Sequence, residues 1–448
     1  MYIVITRPEF FEGEASRINQ MFMAGMPRLH LRKPGSTSDE CRQLLQQIPA
    51  CYHERIVLHD HFSLAEEFNV GGVHLNSRNP SLPEALCKKR TGEVPSSCAF
   101  PRFSVSCSCH SLEEVKARKG ECDYVTLSPI YDSISKQGYR SAFTIEELKQ
   151  AASEGVIDSR VYALGGVTYD RVPDVEALGF AGGMVLGDAW QTDSATPPVV
   201  LSVAGSDSSA GAGIQQDLKT MTACGCYGAT VITAITSQNT QGVQAVDAVS
   251  AETVRSQMLS VFSDMRVSAV KLGMIPNKDV AEAIVEVLAV QRQKRPLPIV
   301  CDPVMISTSG TRLMTEDCIS YITNHLFPLC TLLTPNIPEH QYLCERQGGI
   351  MPSVSLLLKG GHADGEEMTD ELVVQPTGER FCYSSPRIKT TNLHGTGCTL
   401  SSAIASFIAH GMSLPQAVEK AKEMIDRYIR GGASIRIGHG NGPLWLSE

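Results

Sequence analysis

The stretch GGMVLGDAWQTDSATPPVVLSVAG, residues 182 to 205, divides the chain. Its first six residues read as a short buried strand and its last seven as another. Between them DAWQTDSATPP (188 to 198) is polar, ends in two prolines and reads as a linker. Upstream, the apolar runs YIVIT (2 to 6), RLHLR (28 to 32), RIVLHD (55 to 60), GGVHLN (71 to 76), FSVSCS (103 to 108), YVTLSP (124 to 129) and VYALGG (161 to 166) alternate with amphipathic stretches such as CRQLLQQI and IEELKQAA. With GGMVLG they make eight strands. A parallel pair needs a crossover, which a helix supplies, so the pattern predicts a (β/α)8 TIM barrel over 1 to 187. Only eleven residues separate the eighth strand from the next domain, too few for a typical helix and two connections. The barrel is therefore expected to lack its last helix, and the following domain or a partner chain to cover the bared strand.

Downstream, VVLSVAG, GATVITAIT, AVKLGMI, PIVCDPVM, TLLTPN and VSLLLKGG read as buried strands separated by helices, and a helix pair occupies 398 to 410 and 414 to 431. These predict a doubly wound α/β domain over 199 to 448, with ligands at the strand C-termini. A length of 448 residues agrees with more than one core. Forty-two per cent hydrophobic residues exclude a disordered chain. A net charge of -9 argues against nucleic acid as the main partner, and leaves phosphate recognition to backbone amides and a few chosen cations. No apolar run is long enough for a membrane span, and MYIVITRPEFF lacks a signal-peptide pattern. The expected location is the cytoplasm. Fifteen scattered cysteines then read as free thiols. Cys107-x-Cys109-His110 and Cys224-x-Cys226 have no second pair at zinc spacing, so no metal role is expected of them.

The most informative motif is KTTNLHGTGCTLSSAIASFIAHG (389 to 411), in which Gly395, Thr396, Gly397 and Cys398 lead into an apolar helix. Glycines there let N–H groups converge at a helix N-terminus, an anion site suited to a phosphoryl group in transfer. Cys398 in the first turn is expected to have a lowered pKa and to act as a general base. AGSDSSAGAGIQQDLKT (204 to 220) puts Gly205 at a strand end and Asp217 on the next helix. With Gln238, Asp217 offers an acceptor and an amide for an aminopyrimidine edge. Asp302, Asn336, Glu339 and Lys359 stand near strand ends and suit Mg2+ and ATP.

At these residues the half from 199 to 448 resembles the ribokinase-like superfamily, and within it the hydroxymethylpyrimidine and phosphomethylpyrimidine kinases of thiamine biosynthesis. The resemblance implies ATP-dependent phosphorylation of 4-amino-5-hydroxymethyl-2-methylpyrimidine and then of its monophosphate. It implies pyrimidine contacts at Asp217 and Gln238, a base at Cys398, an anion hole at Gly395 to Gly397 and an Mg-ATP side at Asn336, Glu339 and Lys359. A homodimer is compatible with it. Residues 345 to 356 are shorter than the family pattern by about a helix. A pyridoxal or pyridoxine kinase is the alternative within the fold, and Gln238-Asn239-Thr240 favours the pyrimidine.

The barrel half resembles the thiamine-phosphate synthase and thiazole tautomerase family through LHLRKPG, VLHDHFSLA, GGVHLN, SCHSLEEV, YVTLSPIYDSISK and ALGGV. The resemblance implies cations for a departing pyrophosphate at Arg32, Lys33 and Lys136, a magnesium carboxylate at Asp60, and a thiazole phosphate site near His74, Gly165 and Gly166. The family's Asn before that Asp is His59 here, and its Gln-Glu-Asp reads Ser77-Arg78-Asn79, so the second carboxylate is missing. The tautomerase branch needs a histidine proton shuttle, which His110 matches. Synthase, tautomerase and a non-catalytic thiazole-phosphate-binding module are the three roles that fit.

Overall fold

The computed structural model describes residues 1–90, 103–132, 141–191, 196–305, 313–347, 354–360 and 367–446. The chain forms two compact units, Met1–Asp193 with Gln293–Pro296, and Ser194–Arg292 with Leu297–Glu448.

In the first unit, β1 (Tyr2–Ile5), β2 (Leu29–Leu31), β3 (Ile56–Leu58), β4 (Gly72–Leu75), β5 (Ser104–Cys109), β6 (Tyr124–Leu127), β7 (Val161–Ala163) and β8 (Gly182–Val185) form a closed barrel in chain order. Every pair is parallel, and β8 closes on β1 with Ile3 opposite Met184. Ile3, Ile5, Tyr124, Tyr162 and Met184 pack together as one buried cluster, while a larger apolar layer joins the strands to the helices. The helices start where the sequence caps them. Thr37 and Glu40 form a reciprocal box ahead of Ser38–Gln46, and Thr144 and Glu147 do so ahead of Ile145–Ser153. Among the described residues no full helix follows β8. A single turn, Gly187–Trp190, stands there, and Trp190 donates its indole N–H to the Ile5 carbonyl at 2.6 Å.

The second unit holds β9 (Val199–Asp207), β10 (Tyr227–Asn239), β11 (Gly242–Ala248), β12 (Val267–Leu272), β13 (Ile299–Cys301), β14 (Leu332–Leu333), β15 (Ser355–Leu358), β16 (Glu367–Val374) and β17 (Glu379–Pro386). Their order is β11-β10-β9-β12-β13-β14-β15-β16-β17. The six strands read from apolar runs are the parallel interior of this sheet. The margins β11, β16 and β17 are antiparallel additions that the sequence reading did not contain. They are largely exposed and charged or polar in alternation, whereas strands buried on both faces read as continuous apolar runs. The chain leaves β9 for β10 on one side and later returns to β12 on the other. That reversal opens a crevice at the C-terminal ends of β9 and β12, and the helix Thr396–Ala409 points its N-terminus at the neighbouring end of β13.

Candidate functional site

Gly395 caps the helix Thr396–Ala409 in a left-handed conformation, φ 85°. A Cβ there would lie 1.9 Å from the Gly211 carbonyl oxygen, so only glycine lets the 210 to 213 loop close against this turn. Gly397 faces the acidic side: a Cβ on it would stand 2.9 Å from Asp302 Oδ2 and 3.6 Å from Lys359 Nζ. Gly395, Thr396, Gly397, Cys398, Asp302 and Lys359 therefore meet at one helix N-terminus.

Lys359 Nζ donates to Asp302 Oδ1 at 2.7 Å, and Thr334 Oγ1 donates to the same oxygen at 3.1 Å. Asn336 bridges Lys359 in register and shares reciprocal 2.9 Å bonds with Glu339, each side chain accepting the other's backbone N–H. Burial raises the Glu339 carboxyl to about 7, with Lys359 pulling it down and Asp302 pushing it up. Burial opposes the Lys359 charge too, but Asp302 and Glu339 outweigh it and raise that pKa. Two buried carboxylates thus share one ammonium. The donor set is oxygen-rich and short of positive charge, which fits Mg2+.

On the opposite side of the helix N-terminus, Asp207 accepts N–H bonds from Ser209 and Ala212, and His394 Nε2 at 3.0 Å. Burial would raise its pKa, but these donors win and lower it. Gln238 Nε2 lies 3.0 Å from His394 Nε2, and a Cβ on Gly205 would stand 3.0 Å from Met274 Sδ. The proton on His394 Nε2 goes to Asp207, and the Gln238 amide lies against the same ring edge. The sequence reading quoted it inside the glycine motif without assigning it a part.

Asp217 is corrected by the structure. It is fully buried, both its oxygens take Lys271 Nζ at 2.9 and 2.8 Å, and Ser202 and Ser402 donate to it at 2.6 and 2.8 Å. No acceptor is left for a ligand edge, and Asp217 instead braces the cysteine-bearing helix one turn beyond Cys398. Lys271, missed from sequence, supplies its counter-charge. The lowered pKa expected of Cys398 is corrected as well. Burial pushes the thiol up to about 11; Lys271 pulls the other way, and the Asp217 and Asp302 carboxylates add to the rise.

In the barrel the strand ends carry a second constellation. His110, after β5, places Nδ1 3.2 Å from both the Ser128 carbonyl and its hydroxyl. With the Nδ1 proton on that carbonyl, Nε2 keeps a lone pair. Gly165 and Gly166 follow β7 with φ of 92° and 65°. A Cβ on Gly166 would stand 2.3 Å from the Asp132 carbonyl oxygen, and neither amide has an acceptor among the described residues. Successive left-handed glycines with open N–H groups suit a phosphate.

Lys33 and His74 are corrected. Lys33 Nζ is buried at 2.7 Å from both Glu14 oxygens and also donates to the Glu9 carbonyl at 2.9 Å, so its charge is already paired. His74 is buried with Nδ1 and Nε2 each 2.8 Å from a serine hydroxyl, Ser106 and Ser108, and burial lowers its pKa to about 3. It stacks on His59, which reaches His30 at 2.9 Å, and His30 reaches the Tyr124 hydroxyl at 2.7 Å. Burial holds all three imidazoles neutral. Lys136 lies outside the described residues. Arg32 is half-buried near Asp60 and Arg78. Asp60 accepts Arg78 Nε at 2.9 Å and Nη2 at 3.0 Å, and Asn79 Nδ2 at 3.1 Å. Its oxygens are already neutralised, so this donor set does not fit a magnesium ion.

The chain matches the family model described as phosphomethylpyrimidine kinase over residues 207–445, and that described as thiamine monophosphate synthase over 1–188. It is 34% identical over 419 residues to the thiamine biosynthesis bifunctional protein ThiED of Geobacter sulfurreducens, covering 87% of this chain and 81% of the relative. The chain belongs to this family of bifunctional thiamine biosynthesis proteins. The second unit is also 44% identical to the hydroxymethylpyrimidine/phosphomethylpyrimidine kinase of Rhizobium meliloti, covering 55% of this chain and 96% of that one. Among solved structures, a phosphomethylpyrimidine kinase from Clostridium difficile 630 is 39% identical over 52% of this chain and 99% of its own, with a TM-score of 0.44. No helix among the described residues is long and apolar enough to cross a membrane.

Proposed function

We propose that the second unit transfers the γ-phosphoryl group of ATP to the hydroxymethyl oxygen of 4-amino-5-hydroxymethyl-2-methylpyrimidine, and then phosphorylates the monophosphate. The observation that carries this reading is the convergence of the Gly395 to Cys398 helix start with Asp302, Lys359 and Glu339. Lys359 and the N–H groups of the helix start face the charge that spreads over the transferring phosphoryl oxygens. Asp302, Asn336 and Glu339 would hold Mg2+, which would supply further neutralisation of phosphate oxygens. Gln238 and His394 offer hydrogen-bonding edges to the ring, with Gly205 leaving room for it.

Cys398 accepts the hydroxyl proton as the O–P bond forms and the bond to ADP breaks. A thiol pushed up to about 11 is mostly protonated at neutral pH, so the thiolate that accepts the proton is the minor form. The loose transition state of phosphoryl transfer relieves this demand, because the nucleophile gives up its proton late. Positioning and electrostatics then carry most of the rate. The barrel unit acts on thiazole phosphate, and His110 held at Ser128, the open amides of Gly165 and Gly166, and Asp60 closed to metal favour proton transfer on the ring over release of pyrophosphate. Free thiols at the fourteen described cysteines support a reducing, cytoplasmic setting.

The test supplies the purified full chain with ATP, Mg2+, thiazole phosphate and either the hydroxymethylpyrimidine or pyridoxal, and identifies products by mass spectrometry. Pyrimidine mono- and diphosphate without thiamine phosphate is expected. Preferential phosphorylation of pyridoxal would overturn the kinase reading, and accumulation of thiamine phosphate the barrel reading.

A further inference from the structure

Beyond the helix Leu414–Gly432 the chain runs on to residue 446 without helix or strand, and the residues from 436 to 441 are exposed. Their backbone is nevertheless fixed. The Asn441 N–H donates to the Thr240 carbonyl at 2.7 Å, and the Gly440 N–H to Thr240 Oγ1 at 3.2 Å. The Gly442 carbonyl accepts the His394 N–H at 3.1 Å, and Pro443 bridges His394 in register. The approach needs glycine: a Cβ on Gly440 would stand 2.1 Å from the Thr240 carbonyl oxygen, and one on Gly442 would stand 2.2 Å from Asn392 Oδ1. Asn392 donates in turn to the Gly432 and Ile435 carbonyls at 2.8 and 2.6 Å, and buried Leu444 anchors the far end. Fixing exposed residues costs backbone entropy that their own side chains do not return. What their bonds join is the ring side of the kinase site. Thr240 turns the chain from β10 to β11 two residues after Gln238, and His394 directly precedes Gly395. From the other side Ser208 Oγ donates to the Gln238 carbonyl at 2.8 Å and accepts its N–H at 2.9 Å.

We propose that residues 438 to 443 form a strap that sets the affinity of the second unit for its alcohol substrate: by tying the Thr240 turn to His394 it fixes Gln238 at the substrate ring. Gly440, Asn441 and Gly442 are positioning residues that act through Thr240 and His394. Among the described residues the strap makes no hydrogen bond to Asp302, Asn336, Glu339 or Lys359, whose partners lie elsewhere, so the ATP side does not feel it. That the substrate is the pyrimidine rests on the kinase reading given above; the coupling of the strap to whichever alcohol is bound does not.

Steady-state kinetics of the full chain test this with Gly440→Ala, whose Cβ drives the strap off Thr240, and with Thr240→Val, which deletes the Oγ1 acceptor. Gly440→Ala is expected to raise the pyrimidine KM about ten-fold, with the ATP KM within about two-fold and kcat at saturating pyrimidine within a few-fold. Thr240→Val should raise the pyrimidine KM less, and Thr240→Ser, which keeps the hydroxyl, should restore the wild-type value. An unchanged pyrimidine KM in Gly440→Ala, or pyrimidine and ATP constants that rise together, overturns the proposal. If Gly440→Ala does not fold, the Thr240 pair decides, and equal pyrimidine KM values in Thr240→Val and Thr240→Ser overturn it. If wild type phosphorylates pyridoxal in preference, the pyrimidine reading falls, and the same split measured with pyridoxal decides the strap.

Discussion

Asp302 and Asp60 both stand just beyond the end of a buried parallel strand, and their surroundings set them to different work. Asp302 shares Lys359 with Glu339, so two carboxylates face one cation and the region is short of positive charge. Asp60 meets Arg78 in a two-pronged pair with a second guanidinium nearby, and its region is short of negative charge. The first arrangement suits a metal ion; the second, with both carboxylate oxygens already paired, does not. A carboxylate at a strand end is thus no metal ligand by position alone; the charge count of its neighbours decides.

The comparison is broken most severely at the helix start. Cys398→Ala should lower kinase turnover by about 10²- to 10⁴-fold while ATP affinity, measured by titration, stays within a few-fold, and thiazole phosphate binding in the barrel is untouched. Next in size, Lys271→Met leaves a fully buried Asp217 unpaired, a loss of about 3–5 kcal/mol in the denaturant unfolding of the second unit. Lys271→Met with Asp217→Asn should recover part of that loss, and failure to recover any would show that Lys271 acts by something other than pairing.

Acidity should separate the two units by sign. His74 has a folded pKa of about 3 against an ordinary value of 6.5, so below 6.5 the unfolded chain takes up a proton that the folded barrel refuses. Its contribution is present above pH 6.5 and lost as pH falls, about 2 kcal/mol between pH 7 and 5. Glu339 runs the other way. With its folded pKa raised to about 7 from 4.5, the folded unit holds a proton that the unfolded chain releases, so stability from this group falls as pH rises from 4.5 to 7. Hydrogen exchange at pH 5 and 7 should show the barrel loosening on acidification, less so in His74→Gln. The second unit should lose its opposing trend in Glu339→Gln. Parallel pH responses in both units would remove this distinction. The smallest effect is expected from His394→Gln, which keeps a polar edge beside Gln238 and Asp207 and should raise the KM for the pyrimidine by several-fold without changing the KM for ATP.

Much of this was legible before any coordinates. Parallel strands buried on both faces write themselves as apolar runs, which is why all eight barrel strands and the six inner strands of the second sheet were read, while the exposed margins β11, β16 and β17 were not. The glycine turn was legible because its chemistry is local: Gly395 to Cys398 are consecutive. What was misread depended on partners distant in sequence. Asp217 finds Lys271 54 residues away inside the apolar-looking AVKLGMI, and Lys33 finds Glu14 19 residues before it. The helix dipole at Cys398 is a sequence-level inference, whereas the desolvation that outweighs it exists only in the packed state. Asn79 was visible as a missing carboxylate, but the turn of Arg78 back onto Asp60 was not.

The central claim, that phosphoryl transfer to the pyrimidine is run from the Cys398 helix start, is tested most directly by following pyrimidine monophosphate formation by wild type and Cys398→Ala at saturating ATP and Mg2+. The account predicts formation of the monophosphate by wild type and its loss by at least about a hundred-fold in the variant, with ATP still bound. Undiminished monophosphate formation by Cys398→Ala would contradict it.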